Sequence, residues 1–287
     1  MKAQPTYYLI YLTANDTETF HWDYFNFLSM ARYDPGVERI RVYVAISLVR
    51  PWSFKDRQII RAILNVTNRC NWLDPVAVIL KGNIGRDFSS AKKCLEIIAT
   101  EAADEDYILI RNRSSRGPYS DSWYTSYIRQ FNRFENSGLT GNTLNMKDHR
   151  LRRNTTNVAH IQTYIYLSQW KYFSMLLCDF PGLSAINHFD AIVDGEICLS
   201  QKIMAMDLCI STLQYPDEPI HMANQNVLLL DESNKVDYQR LPFVHKRKPL
   251  KRPYWVYVVL YSAIIYFWMK RKQKWVYIDR IGTINST

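Results

Sequence analysis

Four short segments concentrate the residue types that bind anions and move protons. The first, 81–87 (KGNIGRD), sets Asn83, two glycines including Gly85, Arg86 and Asp87 before a predicted helix. Asp87 can cap that helix through its free backbone N–H groups. The same N–H groups, with Arg86, suit an anion or a ribose. A capped strand–helix turn is the plainer reading, and from this loop alone it is favoured, because short glycine motifs are common. The second segment, 111–118 (RNRSSRGP), carries Arg111, Asn112, Arg113, Ser114, Ser115 and Arg116 directly behind an apolar run. Guanidinium groups pair bidentately with phosphate, and a solvated basic loop is an equally good reading. If the two preceding strands are neighbours, both loops open into one cleft, and a diphosphate-bearing substrate accounts for both. In the third segment Asp194 and Glu196 flank Gly195 at the start of an apolar helix. Acids favour helix N-termini through the dipole; facing a cleft, either would serve as a general base. In the fourth, His160 and Gln162 alternate on one face of a strand, where a ligand could be met, although a satisfied half-buried histidine is the commoner outcome.

Strands and helices must hold these segments. Apolar runs predict buried strands at 7–12, 76–80 and 107–110, and alternation predicts another at 39–47. Helical spacing of apolar residues predicts helices at 55–70, 88–99 and 123–134. Further on, 158–167 and 208–212 read as strands, and 169–177 and 196–206 as helices. Strand alternating with helix implies an α/β fold with a mainly parallel sheet flanked by helices. Ligands of such sheets lie beyond the carboxyl ends of the strands. The stretch 148–157 reads as a basic surface loop.

The chain has 287 residues, 47% hydrophobic and 22% charged, which argues against disorder, a collagen or a disulfide scaffold. Its net charge of +9 would suggest a nucleic-acid binder if it were spread evenly. It is not: residues 1–240 hold 26 basic and 26 acidic side chains, and residues 241–287 hold ten basic ones and Asp279. The body is neutral and no nucleic-acid partner is expected. Two regions follow, 1–240 and a basic, aromatic-rich extension, 241–287. The five cysteines are widely spaced with no C-x-x-C, which favours a reducing compartment over a zinc site or disulfides. The 7–12 run is too short for a signal peptide.

Taken in order, the segments resemble a family of GT-A-type glycosyltransferases that includes rhamnan-synthesis-type proteins of bacterial polysaccharide clusters and relatives in algae and large algal viruses. Residues 83–88 (NIGRDF) resemble its N-x-G-x-D-[FM] loop, and 112–118 its N-[DS]-S-x-x-G-P loop with one shifted residue. Gly138-Leu-Thr-Gly141 is similar to its L-V-G-T-type strand, His160-Ile-Gln162 to H-x-Q, and 196–200 to E-x-x-L-S. The matches cover roughly residues 76–206. The resemblance implies a GT-A-like (Rossmann-like) domain that moves a sugar from a nucleotide-sugar donor to a glycan or glycolipid acceptor. Asn83, Gly85, Arg86 and Asp87 would lie beside the donor, and Asn112, Arg113, Ser114, Ser115 and Arg116 near its diphosphate. His160, Gln162 and Glu196 would lie toward the acceptor.

Many GT-A enzymes hold a divalent metal, manganese or magnesium, with a D-x-D pair. The corresponding loop here has Arg113 and serines. Arg111, Arg113 or Arg116 could then neutralise the leaving diphosphate, Asp87 could supply a metal ligand, or catalysis could be lost, leaving a nucleotide- or glycan-binding relative. For an inverting reaction Glu196 is the expected base, with Asp194 second. In the extension, five basic residues at 245–252 and four at 270–274 flank 254–269, sixteen uncharged residues of which seven are aromatic. That length is at or below the roughly 17–25 residues of a spanning helix. An anchor on an anionic membrane surface through 245–274 is expected, ahead of a buried element or a true span. The protein is expected in the cytoplasm, membrane-associated through this tail.

Overall fold

The computed structural model describes residues 4–16, 22–152, 157–225, 240–245 and 284–285. In chain order the elements are β1 (Tyr7–Ala14), α1 (Trp22–Arg32), β2 (Ile40–Leu48), α2 (Phe54–Thr67), β3 (Leu73–Gly82), α3 (Arg86–Ile98), β4 (Tyr107–Asn112), β5 (Ser115–Arg116) and α4 (Trp123–Phe131). There follow β6 (Ser137–Gly141), β7 (Leu144–Lys147), β8 (Asn157–Ile161), β9 (Ile165–Gln169), α5 (Trp170–Leu176) and α6 (His188–Asp190). A π-helix (Ala191–Ile197) leads into α7 (Cys198–Met204), then β10 (Cys209–Thr212), β11 (Val244–His245) and β12 (Ile284–Asn285).

The apolar runs of β1, β2 and β4 are continuous because both faces of these strands are covered. Leu9 and Tyr11 of β1 point toward α1, α2 and α4, among Phe27, Met30, Ile63, Trp123 and Tyr127. Tyr8, Ile10 and Leu12 point the other way, toward Phe88, Ala91 and Leu95 of α3 and Phe173 of α5. This two-residue alternation sandwiches the sheet between two helical layers.

The sheet order is β10-β6-β9-β4-β1-β2-β3-β12. β1 lies parallel to both β2 and β4, with Leu9 opposite Val42 on one side and Leu109 on the other. β9 runs antiparallel between β4 and β6, and the other pairings are parallel. The fold is therefore the α/β, Rossmann-like, mainly parallel sheet that the sequence implied. The chain builds outward from β1 to β3 and then crosses back to β4, so the topological switch point lies between the carboxyl ends of β1 and β4. Asn15, wholly buried behind β1, ties this edge to the β2 turn: its Oδ1 accepts from Val49 N at 2.8 Å and its Nδ2 donates to the Arg50 carbonyl at 2.9 Å.

Three local expectations differ. The run at 158–167 is two strands in different sheets: β8 pairs with β7, and β9 joins the main sheet. Between them Gln162 N donates to Thr143 O and Asn112 N to Tyr164 O, which turns the chain where hydropathy shows no break. The helix expected at 196–206 begins earlier, as the π-helix. β4 extends through Arg111 and Asn112, which places Arg111 inside the sheet. Residues 241–245 pack onto the body, with Phe243 fully buried and β11 paired to β5. The basic flanks and apolar run at 246–283 lie outside the described residues. Among the described residues no helix is long and apolar enough to cross a membrane.

Candidate active site

Two groups of polar side chains meet at the switch point. On the α1 side, Arg113 follows β4 and reaches across to the end of β1. Its Nε and Nη2 donate to Thr13 Oγ1 at 3.0 and 2.7 Å, its Nη1 to Asp16 Oδ1 at 2.7 Å, and it also contacts the Ala14 carbonyl. Asp23 of α1 lies 3.6 Å away. Asp23 is completely buried and accepts from Tyr11 OH at 2.5 Å and Thr13 Oγ1 at 2.6 Å. Burial pushes its carboxyl up to about 6, although Arg113 and the two hydroxyls pull the other way. The Arg113 cation is thus matched by two acids rather than presented alone to a phosphate.

Arg111 is also committed to the protein. It is 0% exposed, with its guanidinium 5.3 Å from the Tyr11 ring centroid and 4.6 Å from that of Phe243. It donates to the Gly117 carbonyl at 3.2 Å and to the Ser115 carbonyl, and so moulds the loop that follows β4. Burial lowers its pKa to about 10, which leaves it cationic at neutral pH. Ser115 is buried in that loop, Ser114 N donates to Asn112 Oδ1 at 2.9 Å, and Arg116 lies half-buried over the Trp22 ring at 5.2 Å.

On the α3 side, Asp87 does not cap its helix. Gly85, at φ +73°, occupies the N-cap position without a side-chain bond, and Asp87 Oδ2 accepts from Asn112 Nδ2 at 2.8 Å. β3 and β4 are not neighbours, yet their loops meet because α3 packs back across β2 and β1. Asn112 N donates to the Tyr164 carbonyl at 3.0 Å. The preceding residue, Thr163, donates through both N and Oγ1 to Glu196 Oε2, at 2.7 and 2.9 Å. Glu196 Oε1 faces His160 Nε2 at 3.7 Å. The structure therefore joins Asp87, Asn112, Thr163, Glu196 and His160 in one continuous group. Tyr166 lies among them: burial, with the Asp87 and Glu196 charges, raises its hydroxyl pKa. Lys81 also feels Asp87, which opposes the downward pull of burial on its ammonium.

His160 is 1% exposed, and its Nδ1 lies 2.7 Å from the Val158 carbonyl. A carbonyl only accepts, so Nδ1 carries hydrogen. Nε2, which has no hydrogen-bond partner, then points at Glu196.

Other sequence candidates stand apart. Asp194 is exposed and its charge bears on Cys198. Asn83 is exposed, and its carbonyl accepts from Arg86 N at 3.1 Å. Arg86 opens α3 at φ +45° and is half-buried. Gln162 turns away, accepting from Thr143 Oγ1 at 2.7 Å.

The chain resembles solved glycosyltransferases. A mannosyltransferase from Pyrobaculum calidifontis, in complex with GDP-Man and Mn2+, matches with a TM-score of 0.49 and 12% identity over 74% of this chain. The chain spans 55% of that protein's length. The galactosyltransferase LgtC, in complex with donor and acceptor sugar analogs, gives 0.34 and 13% over 58% of this chain and 59% of its own. Mouse xyloside xylosyltransferase 1 gives 0.36 and 10% over 61% of this chain and 72% of its own. No protein-family profile and no curated protein matches the chain. Each TM-score lies below 0.5, so the chemistry of this chain rests on its own residues.

Those residues do not form a ready metal cradle. Among the described residues no three His, Cys, Asp or Glu side chains converge to hold an ion. Asp16 and Asp23 face Arg113, and Asp87 already accepts from Asn112.

Sequence reasoning missed Thr13, Asp16, Asp23, Thr163 and Tyr166. Thr13 and Asp16 could have been found, since they directly follow the first buried strand. Asp23 left no signal beyond one acid in an aromatic stretch.

Phe88 of α3 packs against Gly182 and against Gly195 in the π-helix that carries Glu196. A Cβ on Gly195 would lie 2.2 Å from its ring, and one on Gly182 would lie 2.8 Å away. Gly195→Ala is expected to cost about 1–3 kcal/mol through this overlap. At about 2–4 °C per kcal/mol, thermal unfolding should show a clear fall. Gly82→Ala, with nothing within 4 Å of its new methyl, should leave the midpoint nearly unchanged.

Proposed function

We propose that the chain is a glycosyltransferase that moves a sugar from a nucleotide-sugar donor to a glycan or glycolipid acceptor, with inversion. The observation that carries this reading is the convergence of Asp87 and Asn112 with the Thr163–Glu196–His160 group at the switch point of a Rossmann-like sheet. Ligands of such sheets bind there. Asp87, Asn112 and the flanking loop backbone meet the donor. Glu196 Oε2 is fixed by Thr163, which leaves Oε1 to take the proton from the acceptor hydroxyl while the anomeric carbon–oxygen bond to the diphosphate breaks. The diphosphate departs toward Arg116, because Arg111 is buried in the 111–118 loop and Arg113 is paired with Asp16 and Asp23. The basic tail is proposed to hold the protein at an anionic membrane surface in the cytoplasm.

A second reading, a relative that binds nucleotide or glycan without turnover, is favoured by the pairing of Arg113 with Asp16 and Asp23. A panel of nucleotide-sugars, read by calorimetric binding and by donor hydrolysis with and without manganese, separates the two. Binding with hydrolysis is expected. Binding without hydrolysis or transfer supports the second reading, and absence of any nucleotide-sugar binding overturns both donor assignments. Asp87→Asn should weaken donor binding by about tenfold, the scale of one charge-assisted contact.

A further inference from the structure

Among the described residues seven large apolar side chains stand exposed, and five of them lie at the carboxyl edge of the sheet. Val49 directly follows β2, Phe54 opens α2 and Ile84 follows β3. Leu151 lies in the β7–β8 connection, beyond the end of β6, and Ile186 in the loop before α6. The most exposed are Ile186, Ile84 and Leu151, at 78%, 74% and 66%. Single apolar residues scattered over a surface are ordinary. Their gathering at one edge is not scatter, and none of the three is needed for the core.

Contacts fasten the three loops to one another. Gly85 N donates to the Ala185 carbonyl at 3.0 Å, which sets Ile84 and Ile186 on adjoining loops. Ile186 N donates to Asp190 Oδ2 at 3.0 Å. The His149 ring meets that of Phe189 edge-on with centroids 4.8 Å apart, and Leu151 N donates to His149 Nδ1 at 3.3 Å. The tips border the candidate active site: Asp87 follows Ile84 by three residues, and Glu196 lies in the π-helix that continues α6. Leu151 stands between Arg150 and Arg152, both exposed, and Arg152 pairs with Asp148 at 3.4 Å. The chain also leaves the body here. β11 pairs with β5, just behind the end of β4, and the basic segment 246–283 continues from it.

We propose that this edge rests on an anionic phospholipid bilayer, with Ile84, Ile186 and Leu151 entering the apolar boundary and Arg150 at the level of the phosphates. A protein partner needs a contiguous, shape-matched contact of about 800 Å² per side. Separate aliphatic tips on three loops offer no such surface, whereas a fluid interface moulds itself around them. Leucine bracketed by arginines matches the interface in depth, apolar group inward and guanidinium at the headgroups. The basic segment starts from the same edge, so its attraction to anionic lipid draws this face down. The mouth of the candidate site then opens toward the headgroups, and the acceptor hydroxyl belongs to a membrane lipid. That last step rests on the glycosyltransferase reading; the docking does not.

The test is co-sedimentation of the full chain, without donor, with vesicles of equal parts phosphatidylcholine and phosphatidylglycerol. Ile84→Glu with Ile186→Glu should weaken vesicle binding at least about tenfold, the scale of withdrawing one aliphatic side chain from an apolar phase. The milder pair Leu151→Ser with Ile186→Ser should weaken it in the same direction. Met175→Glu is the control. Met175 is exposed on α5, which follows the antiparallel β9 at the opposite edge, so binding should stay within about twofold. Thermal unfolding confirms that each variant folds. Unchanged binding in both edge variants shows that the tail alone holds the membrane and overturns the proposal, as does a wild-type chain that ignores the vesicles. A wild-type dimer in sedimentation equilibrium that the edge variants lose also overturns it, because the tips then meet a second copy. If the chain binds no nucleotide-sugar but docks through these tips, the transferase reading and the lipid acceptor fail and the docking face stands.

Discussion

Glu196→Gln is expected to slow sugar transfer by about 10²- to 10⁴-fold, the usual worth of a positioned general base, while donor affinity stays within about twofold, well under the tenfold that one lost contact would cost. The geometry makes this substitution unusually clean. A glutamine oxygen can accept from both Thr163 N and Thr163 Oγ1, as Oε2 does now. Its amide nitrogen then faces His160 Nε2 and offers a hydrogen to a ring nitrogen that has no partner. The local structure is kept or tightened, and only the ability to take a proton is removed. Transfer rates, donor binding by calorimetry and thermal unfolding together check the claim. A variant that is folded, binds donor and transfers at the original rate removes Glu196 from the role. Asp194→Asn is the control: Asp194 is exposed and not joined to Thr163 or His160, so its rate should change by less than about twofold, as surface changes away from a site usually do. The same pair of variants decides between the two acids that the sequence left ranked but unresolved.

What the sequence made legible follows from what it encodes locally. Buried parallel strands write themselves as apolar runs, so β1, β2 and β4 were readable, and with them the edge at which a ligand binds. The loops at 83–88 and 112–116 were readable as polar breaks behind those runs. Their meeting was not readable, because it depends on α3 crossing back over β2 and β1, and no spacing within either loop encodes that. The fate of the arginines was hidden for a similar reason. Arg111 and Arg113 look alike in RNRSSR, but alternation along β4 turns Arg111 inward between Tyr11 and Phe243, while Arg113 leaves the sheet and meets acids from β1's end and from α1. The Glu196 side chain was legible as an acid near a helix start. Its partner Thr163 was not, since the strand break between β8 and β9 carries no hydropathy signature.

Stability should fall as pH rises from about 4 to 6, and Asp23 should be responsible for roughly 3 kcal/mol of that fall. Burial raises its carboxyl from an ordinary value of 3.8 to about 6 in the folded protein. Between these values the folded chain binds the proton that the unfolded chain has released. The contribution of Asp23 to stability is therefore fully present below about 4 and is lost as pH climbs through 6. Asp23→Asn removes the titration while an amide of the same shape still accepts from Tyr11 OH. Arg113 keeps Asp16 as counter-charge, 2.7 Å from its Nη1. Denaturant unfolding of both proteins at pH 4, 5, 6 and 7 reads the effect as a difference, so other titrating groups cancel. The variant should gain on the wild-type protein steadily across the window. Parallel curves would mean that Arg113 and the two hydroxyls hold Asp23 ionised throughout. Arg113→Ala separates the causes further: with its nearest cation gone, Asp23 is pushed higher still, and the window of falling stability moves above pH 6. A downward movement would show that Arg113 is not what holds the buried carboxylate in its charged form at neutral pH.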